Sequence, residues 1–84
     1  MALMLYSTEG CHLCEQAYEL YQSLGGQTPL NTQDIAFDDR LFERYGVTIP
    51  VIAVLTPEGQ VRAELGWPFD STQLQAWLIE HGID

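Results

Sequence analysis

Two cysteines, Cys11 and Cys14, carry the most chemistry of any residues in this chain by type and spacing. At i and i+3 at the start of a predicted helix, their Cα atoms should lie about 5–6 Å apart, inside the window a disulfide requires. A structural staple is one reading, but closing so small a ring removes only about 2 kcal/mol of chain entropy on the loop model. A metal site is a second, yet zinc usually takes four ligands and the chain offers only His12 and His81 as further soft or borderline donors. Two inert buried thiols are a third, less suited to cysteines that follow the polar segment Ser7-Thr8-Glu9-Gly10. Thiol–disulfide chemistry is the reading the placement favours over all three.

The reason is electrostatic. Unpaired amides and the dipole at a helix N-terminus stabilise a thiolate, and the thiolate is the nucleophile. Cys11, nearer the helix end and on the loop side, is the expected nucleophile. Cys14, one turn in and more buried, is the expected resolving thiol that closes the mixed disulfide. A protonated His12 would add positive charge beside Cys11, whereas Glu9, Glu15 and the acidity of the whole chain oppose a further negative charge there.

These residues need a scaffold, and the rest of the chain supplies its elements. Met1 to Tyr6 is short, apolar and stopped by a polar loop, which predicts a buried central strand. From Cys11 to Leu24 apolar groups recur at Cys14, Ala17, Tyr18, Tyr21 and Leu24, the spacing of a helix with one packed face, and Gly25-Gly26 ends it. Leu30 to Phe37 reads as a weaker strand, with alternation clearest at Ile35 and Phe37. Asp38 then caps a short helix that packs Leu41, Phe42 and Tyr45 before Gly46. Val51–Leu55 and Val61–Leu65, joined by Pro57-Glu58-Gly59-Gln60, read as an antiparallel hairpin. Asp70 or Ser71 caps a last helix carrying Leu74, Trp77 and Leu78. The sum is an α/β chain of order βαβαββα: a four-stranded mixed sheet with helices on both faces.

Size and composition narrow the partners. With 84 residues, 46% of them hydrophobic and spread along the chain, residues 1–84 are expected to form one domain. No apolar stretch approaches the ~20 residues of a membrane span, and no export signal is evident, which points to the cytoplasm. Twelve acidic residues against Arg40, Arg44 and Arg62, with no lysine, give a formal charge of −9. Nucleic acid and anionic membrane surfaces are therefore excluded as partners. A working monomer is expected.

The combination of a strand, Ser7-Thr8-Glu9-Gly10-Cys11-His12-Leu13-Cys14, a helix, and later Tyr45-Gly46-Val47-Thr48-Ile49-Pro50-Val51 before a strand resembles the glutaredoxins. More narrowly, the Cys-His-Leu-Cys tetrapeptide is similar to that of a bacterial glutaredoxin-like group. The resemblance covers essentially the whole chain. It implies a thioredoxin-like, glutaredoxin-type three-layer sandwich and a dithiol oxidoreductase with Cys11 and Cys14 catalytic. By the same resemblance Pro50 is cis and faces the cysteine pair, and Ile49 offers its N–H and C=O to a substrate chain as an added strand would.

With His12 and Leu13 inside the motif, the implied substrate groove is completed by Ile49, Pro50, Trp67, Asp70 and Ser71. Trp67 and Phe69 are either an apolar rim to that groove or core packing, and packing is the commoner use of such aromatics. Tyr6, Tyr18 and Tyr21 are read as packing, and Arg40 and Arg44 as a solvated helix face. Glutaredoxins bind glutathione with a cation near the cysteines and a Gly-Gly-x-x-Asp segment before the last helix. Here no lysine or arginine lies near Cys11 in sequence, Gly66-Trp67 stands in place of Gly-Gly, and Asp70 and Ser71 are what matches the amino-end site. The implied partners are protein or small-molecule disulfides, with glutathione or a thioredoxin-type reductase as reductant and glutathione as a candidate co-substrate. No tightly bound cofactor and no protein metal site are expected. Two other classes stay open: a glutaredoxin-like module binding an iron–sulfur cluster or metal through Cys11, and a redox-inactive scaffold for protein contact.

Overall fold

The computed structural model describes residues 2–83. In chain order it contains β1 (Ala2–Ser7), α1 (His12–Ser23), β2 (Leu30–Asp34), a 3₁₀ turn (Ile35–Phe37), α2 (Asp39–Tyr45), β3 (Val51–Leu55), β4 (Val61–Gly66) and α3 (Ser71–Glu80). The expected strand from Met1 is thus β1, with Met1 itself outside the described residues. The four strands form one sheet in the order β2-β1-β3-β4. β1 runs parallel to β2 and antiparallel to β3, and β3 pairs antiparallel with β4. The fold is the mixed α/β arrangement of thioredoxin-like proteins.

The near-continuous apolar character of β1 and β3 follows from burial on both faces, because successive side chains in a strand point to opposite sides. Leu3 and Leu5 of β1, with Ile52 and Val54 of β3, pack against Ala17 and Tyr21 of α1 and Leu74, Trp77 and Leu78 of α3. Their neighbours Met4, Tyr6, Val51 and Ala53 join Ile35, Leu41 and Tyr45 on the other face, beneath the 3₁₀ turn and α2. Two helices cover one face and a single short helix covers the other. Among the described residues no helix is long and apolar enough to cross a membrane.

Helix ends carry the capping chemistry their sequences call for. Asp38 caps α2, its carboxylate accepting from the amides of Arg40 and Leu41. Asp70 caps α3 in a reciprocal box: its carboxylate accepts from the Gln73 amide at 2.7 Å, and its own amide donates to the Gln73 side chain at 3.0 Å. Gly25, at φ +69°, supplies the left-handed residue after α1.

Two expectations fail locally. The second strand stops at Asp34 rather than running to Phe37, because the Asp34 carboxylate accepts the Ala36 amide at 2.8 Å and turns the chain into the 3₁₀ segment. Ile35 is swung into the core while Phe37 is left 87% exposed. Phe42 is likewise 59% exposed, since the seven-residue α2 buries the stripe through Leu41 and Tyr45 and leaves Phe42 off it.

Candidate functional site

The site begins where β1 gives way to a tight loop. Gly10, at φ +79°, takes a backbone conformation costly for other residues, and the Cys11 amide donates to the Thr8 carbonyl at 3.3 Å. Cys11 is the N-cap of α1, with extended backbone angles. Its Sγ accepts a hydrogen bond from the Cys14 amide at 3.1 Å, the contact an N-cap serine oxygen would make. Cys11 and Cys14 are joined as a disulfide with Cα atoms 5.2 Å apart. Cys11 is half-buried, whereas Cys14 is only 4% exposed. Cys11 is therefore open to the surface and Cys14 covered, and the helix start, where a thiolate would be favoured, is aimed at Cys11.

A cleft of about 660 Å³ runs along this pair. Its wall includes Cys11, Cys14, the loop Ser7–Gly10, Leu5 beneath, Thr32 of the neighbouring strand, and Glu15, Tyr18 and Glu19 of α1. With Glu9 from the loop, three carboxylates line it and no lysine, arginine or histidine does. Tyr18 is 39% exposed here, so its assignment to the packed face of α1 is corrected: it projects beside Cys14, one turn further on, not into the core. The spacing was the available signal, since Cys11, Cys14, Glu15, Tyr18 and Glu19 lie three and four apart and share a helix face.

Of the residues proposed from sequence, Cys11 and Cys14 line this cleft; His12, Leu13, Ile49, Pro50, Trp67, Asp70 and Ser71 do not. His12 is 89% exposed and its Nδ1 lies 3.4 Å from the Glu15 carboxylate; Leu13 is exposed. The sheet register, with Tyr6 opposite Val51 and Val51 opposite Gly66, puts Ile49, Pro50 and Trp67 at the sheet end from which the Cys11 loop departs. The Ile49–Pro50 bond is cis, as is Trp67–Pro68, which no sequence signal indicated. The Ile49 amide is not available for an added strand: it donates to the Tyr45 carbonyl at 3.2 Å, leaving the carbonyl as the group to offer. Trp67 packs edge-on against buried Phe69, centroids 5.0 Å apart, and its amide donates to the Pro50 carbonyl. Asp70 is engaged as the α3 cap and Ser71 opens that helix, exposed.

A second polar cluster sits across the sheet. The Tyr6 and Tyr45 rings stack at 4.6 Å, and Arg44 pairs with Glu64 at 2.9 Å, so Arg44 is committed rather than merely solvated. Burial, then Glu64, pushes the Tyr45 phenol up to about 12, and burial foremost raises Tyr6. Burial would raise the Glu64 carboxyl, but the adjacent Tyr45 hydroxyl and Arg44 guanidinium outweigh it and hold it low. Among the described residues no group of three or more His, Cys, Asp or Glu side chains is arranged to hold a metal ion.

Comparison with known proteins agrees with this geometry. Residues 2–79 match the model of the Glutaredoxin-like domain (DUF836). A structural-genomics target protein, XcR50 from X. campestris, is 38% identical, with TM-score 0.77 over 94% of this chain and 97% of that one. Protein Ne2328 from Nitrosomonas europaea is 28% identical, with TM-score 0.71 over 90% and 88%. A thioredoxin from Halobacterium salinarum, 22% identical with TM-score 0.69 over 99% and 74%, shares the fold. No curated protein matches the chain. A cysteine pair at disulfide distance in this fold supports a redox function, and the chain belongs to the glutaredoxin-like domain family (DUF836).

Proposed function

We propose that the protein is a dithiol thiol–disulfide oxidoreductase with Cys11 as nucleophile and Cys14 as resolving thiol. The Cys14 amide donating to Cys11 Sγ at a helix N-cap carries the reading, because that bond and the helix dipole both favour a thiolate at Cys11. In the reduced protein the Cys11 thiolate attacks one sulfur of a substrate disulfide, forming a mixed disulfide and expelling the other sulfur as a thiolate. Cys14, deprotonated as it attacks, then displaces the second substrate sulfur and closes the Cys11–Cys14 bond. The protein gives up two electrons and the Cys14 proton, and the substrate leaves as a thiol and a thiolate, the latter taking from solvent the proton that Cys11 had released. A cellular thiol system, glutathione or a thioredoxin-type reductase, supplies those electrons back, and a dithiol working in that way belongs in a reducing compartment such as the cytoplasm.

The test is alkylation of the reduced protein across pH, with mass spectrometry locating the label, alongside Cys11→Ser and Cys14→Ser. Preferential labelling of Cys11, titrating below the ~8.5 of a free thiol, and accumulation of a mixed disulfide in Cys14→Ser are expected. Indiscriminate labelling with an unshifted titration would refute the mechanism. Oxygen-free purification that yields a coloured, sulfide-containing protein would favour the cluster-binding alternative instead.

A further inference from the structure

Resting on the oxidoreductase reading, the cleft beside the disulfide narrows the substrate class. The site is located by the reactive sulfur pair, since a substrate approaching along this wall meets Cys11 and Cys14. What the wall adds is one sign of charge. Glu9, Glu15 and Glu19 come from the loop and two successive turns of α1, and among the described residues the exposed His12, 3.4 Å from Glu15, is the one basic side chain that pairs with any of them. The arginines lie elsewhere: Arg40 and Arg44 on α2, across the sheet, and Arg62 on β4. Arg44 is committed to Glu64. Tyr18, 39% exposed, adds an aromatic ring to the same wall, and aromatic rings attract cations. At about 660 Å³ the cleft has the size of a site for a small molecule or a few side chains.

We propose that this cleft selects protein disulfides flanked by lysine or arginine and rejects anionic disulfides, oxidised glutathione among them. A cation entering the cleft neutralises carboxylates that would otherwise oppose a thiolate at Cys11, so the right substrate also activates the nucleophile. An anionic disulfide meets both the local carboxylates and the −9 charge of the chain. A thioredoxin-type reductase is accordingly the electron source the site favours over glutathione.

The experiment is stopped-flow oxidation of the reduced 84-residue chain by three small disulfides: cystamine, a dication; hydroxyethyl disulfide, neutral; and dithiodiglycolate, a dianion. Each rate is divided by that disulfide's rate with a small neutral thiol, which removes intrinsic reactivity. The corrected cation-to-anion ratio should be roughly tenfold or more at low ionic strength and shrink as salt is added. It should fall toward unity in a variant carrying Glu9→Gln, Glu15→Gln and Glu19→Gln. It should persist in a variant of the same net charge carrying Glu43→Gln, Glu58→Gln and Glu80→Gln, residues outside the cleft. Equal rates for the three disulfides, or an equal fall of the ratio in both variants, overturns the proposal and leaves the oxidoreductase reading standing. Failure of every disulfide to oxidise Cys11 overturns both.

Discussion

The hydrogen bond from the Cys14 amide to Cys11 Sγ can be removed without touching Cys11. Cys14→Ser keeps the amide and Cys14→Pro deletes it, and in both variants Cys11 is the only thiol left, so its ionisation is read without interference. Position 14 lies in the first turn of α1, where the amide has no carbonyl of its own helix to bond, and where proline is tolerated. The 3.1 Å bond becomes charge-assisted when Cys11 ionises. Hydrogen bonds to charged groups contribute ~1.5–3 kcal/mol, and half-burial of Cys11 places this one toward the low end. Since ~1.4 kcal/mol corresponds to a factor of ten in an equilibrium, the thiolate fraction of Cys11 at acidic pH should be about tenfold higher in the serine variant.

The assay is thiolate absorbance in the far ultraviolet followed across pH, with circular dichroism establishing that both variants keep their helices. The curves should separate at low pH and meet at high pH, with the serine variant ionising below the ordinary thiol range. Superimposable curves from two folded variants would mean that the amide does not stabilise the thiolate. A serine variant ionising like a free thiol would mean that the helix start as a whole does not, and the argument for Cys11 as nucleophile would fall.

Asp70→Ala should cost about 1 kcal/mol in denaturant melts through loss of the α3 cap, while Asp70→Asn should cost little. An unchanged stability in Asp70→Ala would contradict the capping box. Ile52→Ala, at a fully buried position between both helices of the larger core and the sheet, should lose ~2–5 kcal/mol, and a smaller loss would show that the site collapses around the cavity. Because the Tyr45 phenol is held up to about 12 in the folded protein against 10.0 for the ordinary group, the folded state keeps a proton the unfolded chain releases. The contribution of this group to stability is then constant below pH 10 and declines as pH rises from there toward 12, and Tyr45→Phe should lessen that decline in alkaline thermal melts.

The first turn of α1 was legible, and the cap of α3 was narrowed to Asp70 or Ser71, because their determinants are local. Cysteines at i and i+3 meet across one helical turn whatever the rest of the chain does, and an aspartate three residues before a glutamine closes its own box. The crossover logic that makes β1 and β2 parallel is nearly as local, since a helix between two strands of one sheet returns the chain to the same end. Ile35 and Phe37 show where that reach ends. Alternation assigned both to a strand, whereas the Asp34 carboxylate and the core beneath α2 turned one inward and left the other in solvent. Phe42 was misjudged for the same reason, because how many faces a short helix buries depends on what it lands against.

The chain's own pattern determined the redox pair, the order of its elements and the acidity of its surface, all of which follow from residue type and short-range spacing. Only the tertiary structure decided which side of the pair is open. The cleft exists because the unburied face of α1 meets the loop after β1 and, through Thr32, the strand β2 that follows α1, and no local period encodes that meeting. It gathers Glu9, Glu15, Tyr18 and Glu19 around the sulfurs and leaves Asp70 to its helix. The Ile49 amide was settled in the same way, since Tyr45 reaches it only after α2 has docked on the sheet. Backbone periodicity specifies what a residue can be, and the long-range packing of one element on another specifies what it faces.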